Sequence, residues 1–342
     1  MRVYVVPFLV TFSVLVPAAL RCNQAPLDQP QAIQAFVTSC ATDNEISPED
    51  RAILDHAAMQ FVQTALSSNP AAAYASFTAD ARQDVSIENF VAMIQRGIQP
   101  MGPFKNLHVA HTYIPKVKGI THEQRVVCGD LSSPEGWVAV STKPGPEQGH
   151  VIAEGQTVNN TWAFVIWLLK EQGNWHVQYF QVAPATMVGN SAHDLREMAR
   201  AERLRHHDFN ACVLYAAALQ FAERGPSFQL GIQPEIQKEM TQLQVPREIQ
   251  GQPPFSWQFE KSSFRVSAVG PIGVGGKIYL NIEQEVSTWT GDKDADRKNR
   301  DLIEAFKKAF PEYLDVFAGL VVAAREQGGT RGFRTVDAKP ER

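Results

Sequence analysis

The nine histidines are the first residues in the sequence to ask for chemistry. His108 and His111 share a strand-like segment three positions apart, and the two-residue period of a strand puts them on opposite faces. His206 and His207 are adjacent and do not converge on one ion from a helix. Zinc needs three or four convergent ligands, and no compact set supplies them, so these imidazoles read as surface or capping groups. The four cysteines, Cys22, Cys40, Cys128 and Cys212, lie far apart with no C-x-x-C pair. That spacing excludes a zinc knuckle or a thioredoxin-like redox centre. In an oxidising compartment it allows one or two disulfides, with partners drawn from Cys40, Cys128 and Cys212 if Cys22 sits near a loose mature N-terminus.

Two further stretches mimic ligand loops. Gly270-Pro271-Ile272-Gly273-Val274-Gly275-Gly276-Lys277 has the composition of a phosphate loop. It lacks the Walker spacing and the hydroxyl residue after lysine, and it precedes a strand, so it reads as a hairpin turn. Asp292, Asp294 and Asp296 alternate as in a calcium loop, but Arg297 and Ile303 stand where an EF-hand needs glycine and glutamate. There is no G-x-S-x-G elbow and no local cysteine-nucleophile signature. No catalytic residue, metal or cofactor is therefore assigned from motifs. Asn159-Asn160-Thr161 is a glycosylation sequon with Asn159 as acceptor if the source glycosylates its exported proteins.

The N-terminus speaks for compartment. Arg2, an apolar run over Val3–Leu20 and the small residues Ala18 and Ala19 form the three-part pattern of a secretory signal over residues 1–19. The expected location is periplasmic or extracellular. Arg21 directly before Cys22 spoils the pattern of a lipid-modified cysteine, so membrane attachment is expected only if the signal is uncleaved or Cys22 is lipidated. With 44% hydrophobic and 20% charged residues and a net charge of −4, the remainder is ordinary globular sequence without a polyanion-binding surface, which argues against nucleic acid.

Elements that could position chemistry fall into two halves. After a Gln/Pro/Asn-rich leader (20–46), Ser47-Pro48-Glu49-Asp50 caps a helix with an apolar stripe through Ile53, Leu54, Ala57, Ala58, Phe61, Val62, Ala65 and Leu66. Asn69-Pro70 starts a second helix carrying Tyr74 and Phe77, and Ser86 a third carrying Phe90, Met93 and Ile94. Short β-branched or aromatic segments then run from residue 107. They end in a hairpin, Thr161–Lys170 and Trp175–Val182, joined by Glu171-Gln172-Gly173-Asn174, whose glycine fits a tight turn. Residues 47–189 thus predict an α+β domain, three helices followed by a curved antiparallel meander. Residues 190–342 predict a second α+β domain. It has helices from Ser191 to Arg224 broken near His206–Asp208, a hairpin over Phe255–Val269 and Lys277–Thr288, and closing helices Asn299–Phe310 and Pro311–Arg325.

The order of elements from Asp50 to Pro184 resembles the cone-shaped superfamily of nuclear transport factor 2 and ketosteroid isomerase. The residues that carry the likeness are the amphipathic first helix, Asn69-Pro70-Ala71-Ala72-Ala73-Tyr74, Ser86-Ile87-Glu88-Asn89-Phe90 and the closing Gly173-Asn174-Trp175-His176-Val177-Gln178-Tyr179-Phe180. The resemblance implies a cavity between helices and curved sheet, in which some relatives use an acid and a tyrosine for proton transfer. Tyr113, Asp130, Trp137, Trp162, Trp167 and Tyr179 are the strand residues such a pocket would draw on, although the family's catalytic pattern does not map onto them one by one. The expectation is a non-enzymatic module binding a small apolar ligand or a protein partner. The rival is an isomerase, dehydratase or hydrolase acting in the cone.

Overall fold

The computed structural model describes residues 38–260 and 262–338. The expected signal, Cys22 and the leader up to residue 37 lie outside the described residues. β1 (Thr38–Thr42) precedes α1 (Pro48–Leu66). Ser47 caps α1 by accepting the Asp50 amide, and Pro48 takes the first helical position, where its missing N–H costs nothing. Of the predicted stripe, Leu54, Ala58, Phe61, Val62 and Ala65 are buried and Ala57 and Leu66 half-buried, whereas Ile53 stands exposed.

α2 (Ala71–Tyr74), α3 (Ala79–Asp84) and α4 (Ile87–Met93) follow. Where the sequence reads one helix through Phe77, two short ones stand. The Val177 amide donates to the Ser76 carbonyl and the Thr78 amide to the Val177 carbonyl, so this backbone is extended and cannot continue a helix. Thr78 then restarts one by accepting the Ala81 amide.

The strands of the first half are β2 (Lys105–Val117), β3 (Gln124–Gly129), β4 (Trp137–Thr142), β5 (Gln148–Gln156), β6 (Asn160–Glu171), β7 (Asn174–Met187) and β8 (Asn190–Ser191). The second half runs α5 (Ala192–Leu204), α6 (Asp208–Ala222), β9 (Phe228–Leu230), α7 (Ile232–Met240), β10 (Phe255–Phe259), β11 (Ser262–Val274), β12 (Lys277–Val286), α8 (Asp292–Ala309), β13 (Gly319–Glu326) and β14 (Gly332–Ala338). The chain is mixed α and β, built on a strongly curled half-barrel of antiparallel strands in the order β1-β2-β5-β6-β7-β8. α1 touches β2, β5, β6 and β7 together, which a helix can do only from the hollow side of a curled sheet. On the outer side lies a small sheet, β3-β4-β9, whose third strand comes from the second half. The chain thus crosses back over the boundary expected at residue 189.

A third sheet, β10-β11-β12-β13-β14, carries α6 and α8. Here one expectation is corrected. The segment read as a helix over Pro311–Arg325 is a 3-10 turn (Pro311–Asp315) and then strand β13, parallel to β12 and antiparallel to β14. Leu320-Val321-Val322-Ala323-Ala324 is buried throughout, and a run apolar on both faces has no period to separate central strand from helix. α8 also begins earlier than Asn299, at Asp292: Asp292 and Asp294 occupy its first turn, where the helix dipole favours negative charge.

Cys40 and Cys128 form a disulfide that staples β1 to β3, with 5.1 Å between their Cα atoms. Cys212 is buried in the second core. Among the described residues no helix is long and apolar enough to cross a membrane.

Candidate functional site

The hollow of the half-barrel, where the resemblance places a pocket, is packed with aromatic rings among the described residues. The Phe61 ring of α1 lies 5.4 Å from Phe77, 6.2 Å from Phe90 and 5.0 Å from Phe180, centroid to centroid. Phe104 meets Phe164 at 5.1 Å in an edge-to-face pair. Leu54 fills the space over Gly149, where an added Cβ would come within 2.9 Å of a Leu54 methyl. Trp162 belongs to this side, buried, its indole N–H donating to Thr157 Oγ1 at 3.3 Å.

The outer face holds a different constellation. Strand register aligns four rings in one row across β2, β5, β6 and β7: Tyr113 opposite His150, His150 opposite Trp167, Trp167 opposite Tyr179. Three of these are predicted site residues; His150, which joins them, is not. Its imidazole stacks on Trp167 at 5.3 Å with 16° between the planes. Nε2 lies 2.8 Å from the Ser141 carbonyl and so carries the proton, leaving Nδ1 as a buried acceptor with no partner among the described residues. Burial pushes the His150 pKa down to about 4, so the ring is neutral at pH 7.

The flanking tyrosines are held protonated. Burial, with a smaller push from the Asp43 carboxylate, drives the Tyr113 phenol far above its ordinary range. Burial also raises Tyr179, whose hydroxyl donates to Gln181 Oε1. The Trp167 indole N–H donates to Gln148 Oε1 at 3.3 Å. At neutral pH the row is uncharged from end to end.

A strap from the second half roofs this row. The Phe228 ring stands 5.6 Å from Tyr113 and 6.4 Å from His150. Gly225, at φ +88°, presses on the row's end, where a Cβ would sit 2.1 Å from Gln181 Oε1 and 2.7 Å from the Tyr179 oxygen. No other residue fits there. Arg224 is buried and donates through Nη1 to the carbonyls of Pro184, Phe221 and Glu223. Burial lowers its pKa to about 10 against the pull of Glu154, which still leaves it charged at pH 7. Arg125 ties the strap down by donating to the Pro226 carbonyl and the Gln229 side chain.

The remaining predicted residues stand apart. Asp130 is exposed in the turn after β3, its carboxyl held low by the Ser132 hydroxyl and backbone amide. Trp137 is half-buried at the start of β4 against Gly231. Asn159 donates from Nδ2 to the Gly273 carbonyl at 3.1 Å, across the junction of the two halves, and a glycan on that nitrogen would crowd this contact. His108 and His111 are on one face, not two. A bulge between Val109 and His111 shifts the register, so they lie opposite Glu154 and Ile152, which share a face of β5.

Sequence reasoning missed His150, Phe228 and Arg224. A histidine directly before the apolar run Val151-Ile152-Ala153 of β5 was the only local signal. Among the described residues no group of three or more His, Cys, Asp or Glu side chains converges as a metal site. An acid–base pair working near neutrality needs a pKa near the operating pH, and the row's groups are shifted away from it on both sides. What the row does is pack: it bonds the half-barrel to the outer sheet and to the strap.

No protein-family profile, curated protein or solved structure matches this chain.

Proposed function

We propose that this chain is an exported, non-catalytic protein-binding module whose first half is a cone of the nuclear transport factor 2 type. One observation carries the choice of a protein over a small apolar ligand: the hollow that would receive the ligand is occupied by Phe61, Phe77, Phe90, Phe164 and Phe180. With that space filled by the chain's own rings, binding energy has to come from outer surfaces. The Cys40–Cys128 disulfide, in a chain with a signal-like N-terminus, agrees with an oxidising compartment. The curled antiparallel sheet with α1 in its hollow agrees with the cone resemblance.

The test is a titration of the purified full chain with an apolar fluorescent probe such as anilinonaphthalene sulfonate, alongside Phe61→Ala. The native chain is expected to bind no probe saturably, and the truncated variant to acquire a site in the emptied hollow. Saturable binding by the native chain that Trp162 fluorescence reports would refute the reading. Export is checked separately by N-terminal sequencing of the protein from the source's exported fraction; a start at Met1 counts against it.

A further inference from the structure

The elements packed around His150 are held unequally. β5, which carries it, is hydrogen-bonded to β2 on one side and β6 on the other. β3 of the outer sheet is stapled to β1 by the Cys40–Cys128 disulfide. The strap is fastened more lightly: β9 is three residues long and lies at the edge of the outer sheet, beside β4. At its ends the Ser141 amide donates to the Ser227 carbonyl at 2.9 Å and the Gly231 amide to the Trp137 carbonyl at 3.0 Å. His150 donates from Nε2 to the carbonyl of that same Ser141, so ring and strap grip one residue of β4. With Nε2 committed, an added proton has to go to Nδ1, which is buried without a partner among the described residues. There it creates a charge and an unmatched donor against aromatic rings, both costly away from water. From β2 the imidazole faces Tyr113, from β6 Trp167, from β4 Ser141 and from the strap Phe228, with Tyr179 one strand further along. The charged groups of this layer are Asp43 with its partner His111, Glu154 on the same face of β5, Arg125 on β3 and Arg224 at the start of the strap. No ion pair among the described residues reaches His150.

We propose that the strap is an acid-operated lid: protonation of His150 at Nδ1 drives Gly225–Leu230 off the aromatic row and uncovers Tyr113, His150 and Trp167. The strap is the element that yields because lifting it breaks an edge pairing, whereas moving β5 or β3 breaks a central strand or strains a covalent bridge. Covered, the ring has a pKa of about 4, and uncovered it returns to its ordinary value of 6.5. The open form therefore takes the proton first as pH falls. The ratio of open to closed rises about twentyfold between pH 7 and pH 5. The inference does not rest on the partner-binding reading, since it concerns how the two halves close on each other.

The test is amide hydrogen exchange on the full chain at pH 7 and pH 5, expressed as protection so that the intrinsic effect of pH on exchange cancels. Ser141 and Gly231 report the lid, because their amides bond across it. Thr78 and Val177, bonded on the hollow side of the half-barrel, report wider unfolding. Protection at Ser141 and Gly231 is expected to fall about twentyfold and to be indifferent to low urea, because a lid exposes little surface. Thr78 and Val177 should stay better protected and respond to urea. His150→Phe should remove the pH dependence at Ser141 and Gly231. Arg125 is exposed and holds the Pro226 carbonyl, so Arg125→Ala should lower their protection at both pH values and leave the ratio between them unchanged. Three results would each overturn the proposal. One is a protection and urea response at Ser141 and Gly231 equal to those of Val177, which would mean the ring is freed by unfolding alone. The others are a pH dependence that survives His150→Phe, and exchange at these amides that Arg125→Ala does not change.

Discussion

Replacing Cys40 and Cys128 together by alanine tests how the two layers of the first half are held. The bridge joins positions 88 apart in sequence, and the loop it closes contains α1 to α4 and β2. For a loop of that length the chain-entropy argument gives about 4.6 kcal/mol of stabilisation at 25 °C, through fewer conformations of the unfolded chain. Native contacts offset little of this. β1 is a five-residue edge strand, paired with β2 alone, and Cys128 is nearly fully buried under Val138 and Val140 of the outer sheet. The expected loss is roughly 3–5 kcal/mol, confined to the first half. Urea denaturation followed by tryptophan fluorescence resolves it, since Trp162, Trp167 and Trp175 report the half-barrel and Trp257 and Trp289 the other half. Reduction of the native protein should reproduce the variant's curve. A shift below about 1 kcal/mol would refute the reasoning, because it would mean the unfolded chain is already compact in this region.

The remaining expectations follow from single side chains. The folded pKa of His150 lies near 4 and its ordinary value near 6.5, so the unfolded chain binds the extra proton first as pH falls. Its contribution is complete above pH 6.5 and is lost down to pH 4, about 3 kcal/mol in all, and His150→Phe should flatten that part of a pH–stability profile. Phe61→Ala empties the centre of the aromatic cluster and should cost about 3–5 kcal/mol in urea unfolding. Gly225→Ala forces a side chain into a left-handed backbone position against Gln181 and Tyr179. Faster hydrogen exchange at Phe228–Leu230 should report the lifted strap. Glu239 accepts hydrogen bonds from Arg196, Arg200 and Tyr215. Burial alone would raise its pKa, but these donors outweigh it and hold the pKa at about 2, so Glu239→Gln should cost roughly 2–4 kcal/mol by leaving the buried Arg196 only its longer contacts to Glu135 and Glu235.

Much of the first half was legible because its information is local. The Ser47 cap, most of the 3.6-residue stripe of α1 and the hairpin through Glu171-Gln172-Gly173-Asn174 each depend on neighbours a few positions away, and they appear where the residues place them, apart from Ile53, which is exposed. The glycine-rich stretch is a hairpin as its glycines suggest, but only Gly275-Gly276 form the turn, since Gly270–Val274 already pair with β12. The alternating aspartates, expected as an acidic turn before a helix, belong to the first turns of α8. Local reading failed where two structures satisfy one pattern. Leu320–Ala324 is apolar on every side, so only its neighbours β12 and β14 make it a strand, and Ser76–Thr78 is extended only because Val177 is there to pair with it.

For the candidate site the division is sharper. Residue types alone picked out Tyr113, Trp167 and Tyr179 as aromatic strand residues, and that much needs no fold. Whether they face a pocket is a matter of register and curvature, which are set by hydrogen bonds between strands distant in sequence. The structure turns these three outward into a row completed by His150, and covers it with Phe228 from the other half. It turns Trp162 inward and fills the hollow with five phenylalanines drawn from α1, α4, β6, β7 and the α2–α3 link. That large rings would be buried follows from residue type alone, because their surface must leave water. Which rings meet, and whether they leave a cavity, is decided only by close packing in three dimensions.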